Sequence, residues 1–197
     1  MASNSFQAPS PQLLRREDFP QLLHTLKQLG YQIVGPVLSQ GAIQWKPITT
    51  PEDFPMGWKD QQEPGSYRLE PDPSPRYFNI VHGPESLKPL TFAPRETLLV
   101  LDYQDRTFSA KEIQPDTTPT AVLGVRACDL AGLDIQDRIF LHDTDPDPYY
   151  QQRRDNLLLI AVNCTRAHST CFCASMETGP KAQHGFDVCL TEADEDF

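Results

Sequence analysis

The amino-acid sequence predicts an α/β fold, with a mixed sheet flanked by helices and an N-terminal half rich in proline and in short strands. Two apolar runs, "AVLGV" at 121–125 and "LLLIAV" at 157–162, have the composition of buried parallel strands. A helical pattern lies between them, which is the order of a βαβ unit. The 19 prolines concentrate in the first 120 residues, where they separate strand-like runs.

The N-terminal half is predicted to begin with a helix and to continue as paired strands. In "REDFPQLLHTLKQLGY", Asp18 is a candidate N-cap, Pro20 falls in the first turn and Gly30 ends the helix. The apolar positions of one helical face are Phe19, Leu22, Leu23, Leu26 and Leu29. "YQIVGPVL" and "AIQWKPI" predict a hairpin around "SQG", 50–64 is expected to be irregular, and "GSYRLE" is predicted to pair with "RYFNIVHG".

The C-terminal half carries the two buried strands and the segments that connect them. "TLLVLDY" precedes them as a further apolar strand. Between the buried strands, "DLAGLDIQDRIFL" predicts a helix with Asp129 placed to cap it, and "DPDPYYQQRRD" predicts a linker or a short helix. After them, "GFDVCLTE" alternates as a strand does.

Length and charge limit the class of protein. The 197 residues predict a flexible tail at 1–12 and a single α/β domain at 13–197. The net charge of −10 disfavours a nucleic-acid partner, and no apolar run is long enough to cross a membrane. The N-terminus lacks the basic and apolar regions of a secretory signal, so a cytoplasmic protein is expected. Clustered cysteines in that compartment are metal ligands or catalysts more often than disulfides.

Four of the five cysteines form the candidate site. Cys128 follows the first buried strand in "GVRACDL". Cys164 follows the second strand and begins the C-x6-C-x-C pattern that Cys171 and Cys173 complete. Because the carboxyl ends of parallel strands open on the same side of a sheet, Cys128 and Cys164 are expected to meet although 36 positions separate them.

Three chemistries are compatible with this spacing. A [4Fe–4S] cluster offers four separate iron corners to cysteine thiolates, and these four cysteines supply the ligands. A zinc-stabilised interaction module is the second, although the chain lacks the C-x2-C pairs usual for zinc. A thiol-based redox enzyme using Cys171 and Cys173 is the third. Cys189, on the last predicted strand, is interpreted as a small buried hydrophobe.

Three neighbouring residues are further candidates. Asp129 and His168 are alternate metal ligands, although helix capping is the ordinary role for Asp129 and an exposed loop position is the ordinary one for His168. Arg126 could offset the negative charge of a thiolate-bound cluster, and a surface or salt-bridge role is equally compatible with the sequence.

The cysteine blocks also resemble a known family. "GVRACDLAGLDIQDRIF", "DPYYQQRRDNLLLIAVNCTRAHSTCFCASMETGP" and "GFDVCLTE" are similar to the beta subunit of cytoplasmic sulfhydrogenases and to the corresponding iron–sulfur subunit of anaerobic sulfite reductase. The resemblance extends to "GPV", "PGSYRL" and "HGPESLKPLTFAPRE", and so covers, with gaps, nearly the whole chain.

The resemblance implies an iron–sulfur, electron-transfer subunit of a multi-subunit oxidoreductase, with a [4Fe–4S] cluster as cofactor. It implies flavin- or nicotinamide-binding subunits and hydrogenase or reductase subunits as partners. Because nucleotide binding would then belong to another subunit, the resemblance agrees with the absence of G-x-G-x-x-G and Walker A motifs from this sequence. The family carries a ferredoxin-like module after this region, with C-x2-C-x2-C-x3-C-P runs. No such run occurs in this sequence, so the chain is expected to be a fragment.

Overall fold

The computed structural model of the chain describes residues 11–81, 83–142, 144–193 and 196–197. The α-helices are α1 Phe19–Gln28, α2 Lys88–Thr91, α3 Ala127–Phe140 and α4 Pro148–Asp155. The strands are β1 Gln32–Ser39, β2 Ala42–Pro47, β3 Trp58–Glu63, β4 Ser66–Pro71, β5 Leu99–Gln104, β6 Thr107–Glu112, β7 Thr120–Val125, β8 Leu157–Val162 and β9 Val188–Leu190. Within these ranges, no helix has both the length and the apolar character needed to cross a bilayer.

The central sheet confirms the predicted α/β class. Its strand order is β2-β1-β7-β8-β9, with β2 antiparallel to β1 and the other neighbours parallel. α3 and α4 connect β7 to β8, so the predicted βαβ unit is present. The single-domain interpretation of 13–197 stays a prediction, and residues 1–10 of the predicted tail lie outside the described part of the chain.

The sheet is buried on both faces. On β7, Leu123 packs into the cluster that contains α1, while Val122 and Val125 pack into the cluster that contains α3. On β8, Ile160 packs into the cluster that contains α1, and Leu159 packs into the cluster that contains α3. The alternation has the period of a strand, and each buried aliphatic side chain contributes roughly 1.5–3 kcal/mol relative to exposure.

Helix α1 follows its prediction with two differences. It begins after Asp18 and ends before Gly30, whose φ of +88° is the left-handed conformation that favours glycine. Asp18 occupies the N-cap position but makes no capping hydrogen bond from its side chain. Phe19 is buried among aromatic rings, whereas Leu29 is 67% exposed and does not share the buried face.

The predicted pairing of "GSYRLE" with "RYFNIVHG" is wrong. β4 pairs instead with β3, which lies inside the segment 50–64 that was expected to be irregular. Residues 77–81 have an irregular backbone, and His82 lies outside the described residues. The sequence misleads here because "YFNIV" has strand composition, while its backbone groups bind charged side chains instead of another strand.

Buried charges take the place of a partner strand along 77–81. The Glu192 carboxylate accepts hydrogen bonds from the N–H groups of Tyr77 and Phe78 at 2.7 and 2.8 Å. The Asp60 carboxylate accepts the N–H of Val81 at 2.8 Å. Both residues are at most 2% exposed, so their carboxylates form hydrogen bonds with protein groups and not with bulk water.

The positively charged side chain of Arg126 binds the carbonyl groups of the same segment. Its guanidinium donates to the carbonyls of Phe78 and Ile80 at 3.0 and 2.7 Å, and to those of Val162 and Asn163 at 3.2 Å each. The residue is 2% exposed. The surface role that the sequence left open for Arg126 is therefore wrong, and its side chain joins 77–81 to the end of β8.

A glycine lets the chain turn Arg126 inwards. Gly124 has φ +102°, and the register of β7 against β8 shifts between Leu123 and Val125. A Cβ at position 124 would lie 3.1 Å from Cδ of Pro36. The "GVR" triplet therefore needs glycine for both its backbone angle and its contact with β1.

The predicted strand "TLLVLDY" is confirmed as β5, but it stands apart from the core. It pairs with β6 in a two-stranded hairpin whose residues are all exposed. The rings of Tyr103 and Phe108 contact each other across the two strands, tilted by 37° with centroids 4.6 Å apart. Apolar composition here does not indicate burial.

We expect Arg126→Met to lower the free energy of unfolding by at least about 3 kcal/mol, because four buried carbonyls lose their donor. Urea denaturation measures this loss. Arg138→Met is the matched control, since Arg138 is 68% exposed and pairs with Asp134 on its own helix; it should change stability by about 0.5 kcal/mol or less. Equal effects of the two changes would contradict the role given to Arg126.

Candidate functional site

Cys128 lies in the first turn of α3. The Asp129 carboxylate accepts the Arg126 N–H at 2.9 Å, which agrees with the capping role predicted for Asp129. Burial raises the pKa of the Cys128 thiol to about 12, with further contributions from the negative charges of Asp129, Cys164 and Cys173. Cys128 is thus half-buried, and its thiolate form is disfavoured by burial and by nearby negative charge.

Cys164 lies just beyond β8. Its N–H donates to the Pro180 carbonyl at 3.3 Å. The preceding side chain, Asn163, accepts the Ala182 N–H at 2.8 Å and donates to the Thr191 hydroxyl at 2.7 Å. These bonds fix the carboxyl end of β8 between the 178–182 segment and the end of β9.

The electrostatic surroundings of Cys164 combine both signs of charge. Burial raises the pKa of its thiol, and the positive charge of Arg126 opposes that shift. The charges of Cys173, Cys171 and Asp129 raise the pKa as well. Arg126 therefore favours the thiolate form of Cys164, which agrees with the role suggested for it beside a thiolate-bound cluster.

Cys173 is packed against glycine. Its carbonyl accepts the N–H of Thr178 at 2.9 Å. A Cβ at Gly179 would lie 3.1 Å from both Cβ and Sγ of Cys173 and 3.4 Å from Cβ of Ala127. Only a residue without a side chain fits between Cys173 and the start of α3 without displacing them.

Cys171 is the exposed member of the set. It follows a turn in which its N–H donates to the His168 carbonyl at 3.0 Å. The N–H of His168 in return points at Sγ of Cys171, 3.3 Å away. This places a backbone donor at the sulfur.

The structure brings the candidate thiols into one region from three separate segments. Cys164 and Cys173 contribute to the raised pKa of Cys128, and Cys173 and Cys171 contribute to that of Cys164. The pKa of Cys189 is instead raised by burial, with Lys181 and Asn163 opposing, and the residue packs against the core beside α3. Within the described ranges, no disulfide joins any of these thiols.

The side chains do not converge on one point. Across the part of the chain that the structure describes, no group of three or more His, Cys, Asp or Glu side chains is arranged to hold a single metal ion. A cleft of about 200 Å³ lies between α3 and 177–184. Ala127 and Thr178 line the end nearest the cysteines, and charged side chains of both signs line the rest.

His168 does not lie on the loop surface, contrary to its ordinary interpretation. Its side chain is 7% exposed, and Nε2 lies 3.0 Å from Oδ2 of Asp60. The neighbouring Arg166 donates to the backbone carbonyls of Asn79 and Asp60 at 3.1 and 3.0 Å. Sequence reasoning missed Asp60 because a single acidic residue in "WKDQQE" carries no signal of its burial.

The chain is similar to "Sulfhydrogenase 2 subunit beta" of Pyrococcus furiosus, with 26% identity over 179 residues. The match covers 91% of this chain and 44% of the relative, so the chain spans less than half of the length of that protein. This confirms the predicted resemblance to sulfhydrogenase beta subunits. The resemblance to anaerobic sulfite reductase stays a prediction. No family model and no solved structure matches the chain.

Gly179→Ala should lower the free energy of unfolding by roughly 1–3 kcal/mol, because the added methyl group overpacks the contact with Cys173 and Ala127. Gly132→Ala is the matched control in the neighbouring helix, where a Cβ meets nothing within 4 Å; it should raise stability by up to about 1 kcal/mol. Thermal unfolding of both variants in metal-free protein is the measurement. A loss of similar size in Gly132→Ala would show that the packing at Gly179 is not special.

In the metal-free protein, iodoacetamide at about pH 8 should modify Cys171 at least several times faster than Cys128, because the thiolate is the reacting form. Cys171 is exposed, whereas burial and nearby negative charge disfavour the Cys128 thiolate. Mass spectrometry of the two peptides over time gives both rates, and the unfolded chain in urea supplies the reference in which they should be similar. Equal rates in the folded protein would contradict the described surroundings of Cys128.

Proposed function

We propose that Cys128, Cys164, Cys171 and Cys173 hold a [4Fe–4S] cluster, and that the chain is an electron-transfer subunit of a multi-subunit cytoplasmic oxidoreductase of the hydrogenase type. The observations that support this proposal are geometric: Gly179 lies between Cys173 and Ala127, the neighbour of Cys128, and Arg126 at the start of α3 donates to the Asn163 carbonyl beside Cys164. Burial and nearby negative charge disfavour the thiolates of Cys128 and Cys164, and a bound positive centre would favour them.

The donor set fits a cluster better than a single ion. A cube binds each thiolate at a different iron corner, so its ligands surround a volume and do not converge on one point. The absence of a single-ion geometry among the described side chains is compatible with that arrangement. Four thiols are also the usual complement for this kind of cluster.

The chain's own residues would prepare the thiols and set their surroundings. Arg126 favours the Cys164 thiolate, and its positive charge would offset the negative charge of the ligand set. The His168 N–H that points at Cys171 is a hydrogen bond of the kind that raises a cluster potential. Burial of Cys128 would limit water access on one side, while exposed Cys171 marks the side open to a partner.

When bound, the cluster would supply one-electron chemistry, with flavin or iron–sulfur centres of neighbouring proteins as its electron donor and acceptor. The partners would then be flavin- or nicotinamide-binding and hydrogenase subunits. This choice of partners is supported by the name of the relative, which describes it as one subunit of a sulfhydrogenase.

Anaerobic reconstitution should give about four irons per chain and the broad visible absorption of a thiolate-bound cluster. Cys128→Ser should lower iron retention and also lower the melting temperature of the reconstituted protein towards that of the metal-free protein, because a ligand that binds only the folded state stabilises it. Cys189→Ser is the matched control and should keep full iron content.

Two results would overturn the proposal. Stoichiometric zinc that persists after attempted reconstitution with iron would support the zinc-stabilised module. Iron loss in Cys189→Ser equal to that in Cys128→Ser would show that the chosen four ligands are wrong. Disulfide exchange activity in protein free of metal would instead favour the thiol-based redox enzyme.

A further inference from the structure

We infer that Asp60 is a positioning residue for Cys171, acting through Arg166 and His168. The inference rests on the proposed function in so far as Cys171 is taken as a cluster ligand. Asp60 belongs to β3, outside the central sheet, and is far in sequence from the cysteines. Its side chain nevertheless lies against the loop that carries them.

The surroundings of Asp60 are those of a buried charge with several partners. The residue is 0% exposed. Oδ1 accepts the Val81 N–H at 2.8 Å, and Oδ2 accepts Nε2 of Gln62 at 2.7 Å. Nη1 of Arg166 lies 3.6 Å from Oδ1. A carboxylate without solvent requires such partners, so its position is closely determined.

The cysteine loop is attached to this carboxylate at two points. Arg166 and His168 lie between Cys164 and Cys171 in "CTRAHSTC". Arg166 reaches the Asp60 backbone carbonyl at 3.0 Å as well as its carboxylate. Nε2 of His168 lies 3.0 Å from Oδ2, a close contact that does not have the geometry of a hydrogen bond among the described residues.

The second attachment leads directly to Cys171. The His168 side chain is held at Asp60, and the backbone of the same residue exchanges two hydrogen bonds with Cys171, one of them to Sγ. Fixing His168 therefore fixes both the sulfur position and the donor that faces it.

The other ligands have separate supports. Cys164 is bonded to Pro180 and Cys173 to Thr178, and neither contact involves Asp60. Cys128 is part of α3. Loss of the Asp60 charge should therefore release Cys171 and leave the other three ligands in place.

Asp60→Asn tests the inference because it keeps the size of the side chain and removes its charge. Glu192→Gln is the matched control. Glu192 is an equally buried carboxylate that holds the same irregular segment at Tyr77 and Phe78, but it has no contact with the cysteine loop among its described bonds. Both variants are compared with the unmodified full chain, metal-free and after iron reconstitution.

The first measurement is amide hydrogen exchange in the metal-free protein. Asp60→Asn should speed exchange of the His168 and Cys171 amides at least several-fold, and leave the Cys164 amide at its original rate. Glu192→Gln should not affect the His168 and Cys171 amides. The second measurement is iron content, which should fall from about four to about three per chain in Asp60→Asn alone, since each ligand holds one corner.

Each outcome decides a separate question. Faster loop exchange in Asp60→Asn with no iron in the unmodified chain would uphold the anchoring by Asp60 and overturn the proposed function. Unchanged loop exchange, or equal changes in both variants, would overturn the inference whatever the iron content. Should Asp60→Asn not fold, Arg166→Gln removes the other end of the same anchor, and unchanged exchange at His168 in that variant would overturn the inference equally.

Discussion

The four hydrogen bonds of the Arg126 guanidinium are the interaction on which the rest of the structure depends. They join the irregular segment 77–81 to the carboxyl end of β8, and Arg126 itself lies between β7 and α3. The two strand ends that carry Cys128 and Cys164 are thereby fixed around one cation. The same side chain that holds the fold also opposes the raised pKa of the Cys164 thiol.

Buried ionic groups replace regular pairing throughout this side of the molecule. Arg126, Glu192, Asp60 and Arg166 all bind backbone groups of 77–81. Removing a charge from water is costly, and the cost is offset only when its hydrogen-bonding capacity is filled by well-placed partners. Charges of both signs along a single segment meet that condition, since carboxylates accept its N–H groups and guanidinium groups donate to its carbonyls.

The candidate site is consequently held by two independent supports. Cys164 and Cys173 are bonded to the 178–180 segment, and a Cβ at Gly179 would lie only 3.1 Å from Cβ and Sγ of Cys173. Cys171 depends instead on the turn at His168 and, through it, on β3. The half-buried thiols and the exposed thiol thus have different supports in the fold, and Cys171 is the one that faces solvent.

The sequence by itself determined the α/β class and the parallel βαβ unit, because apolar period and strand order fix where strands lie in the sheet. It also predicted the strand that carries Cys189, which is β9. Only the tertiary structure decided that "YFNIV" is not a strand, that Arg126 and His168 are buried, and that Asp60 lies beneath the cysteine loop. The local sequence around a charged residue is the same whether its side chain faces water or a distant backbone group. Hydrogen bonds to partners 46 or 106 residues away therefore cannot be predicted from it.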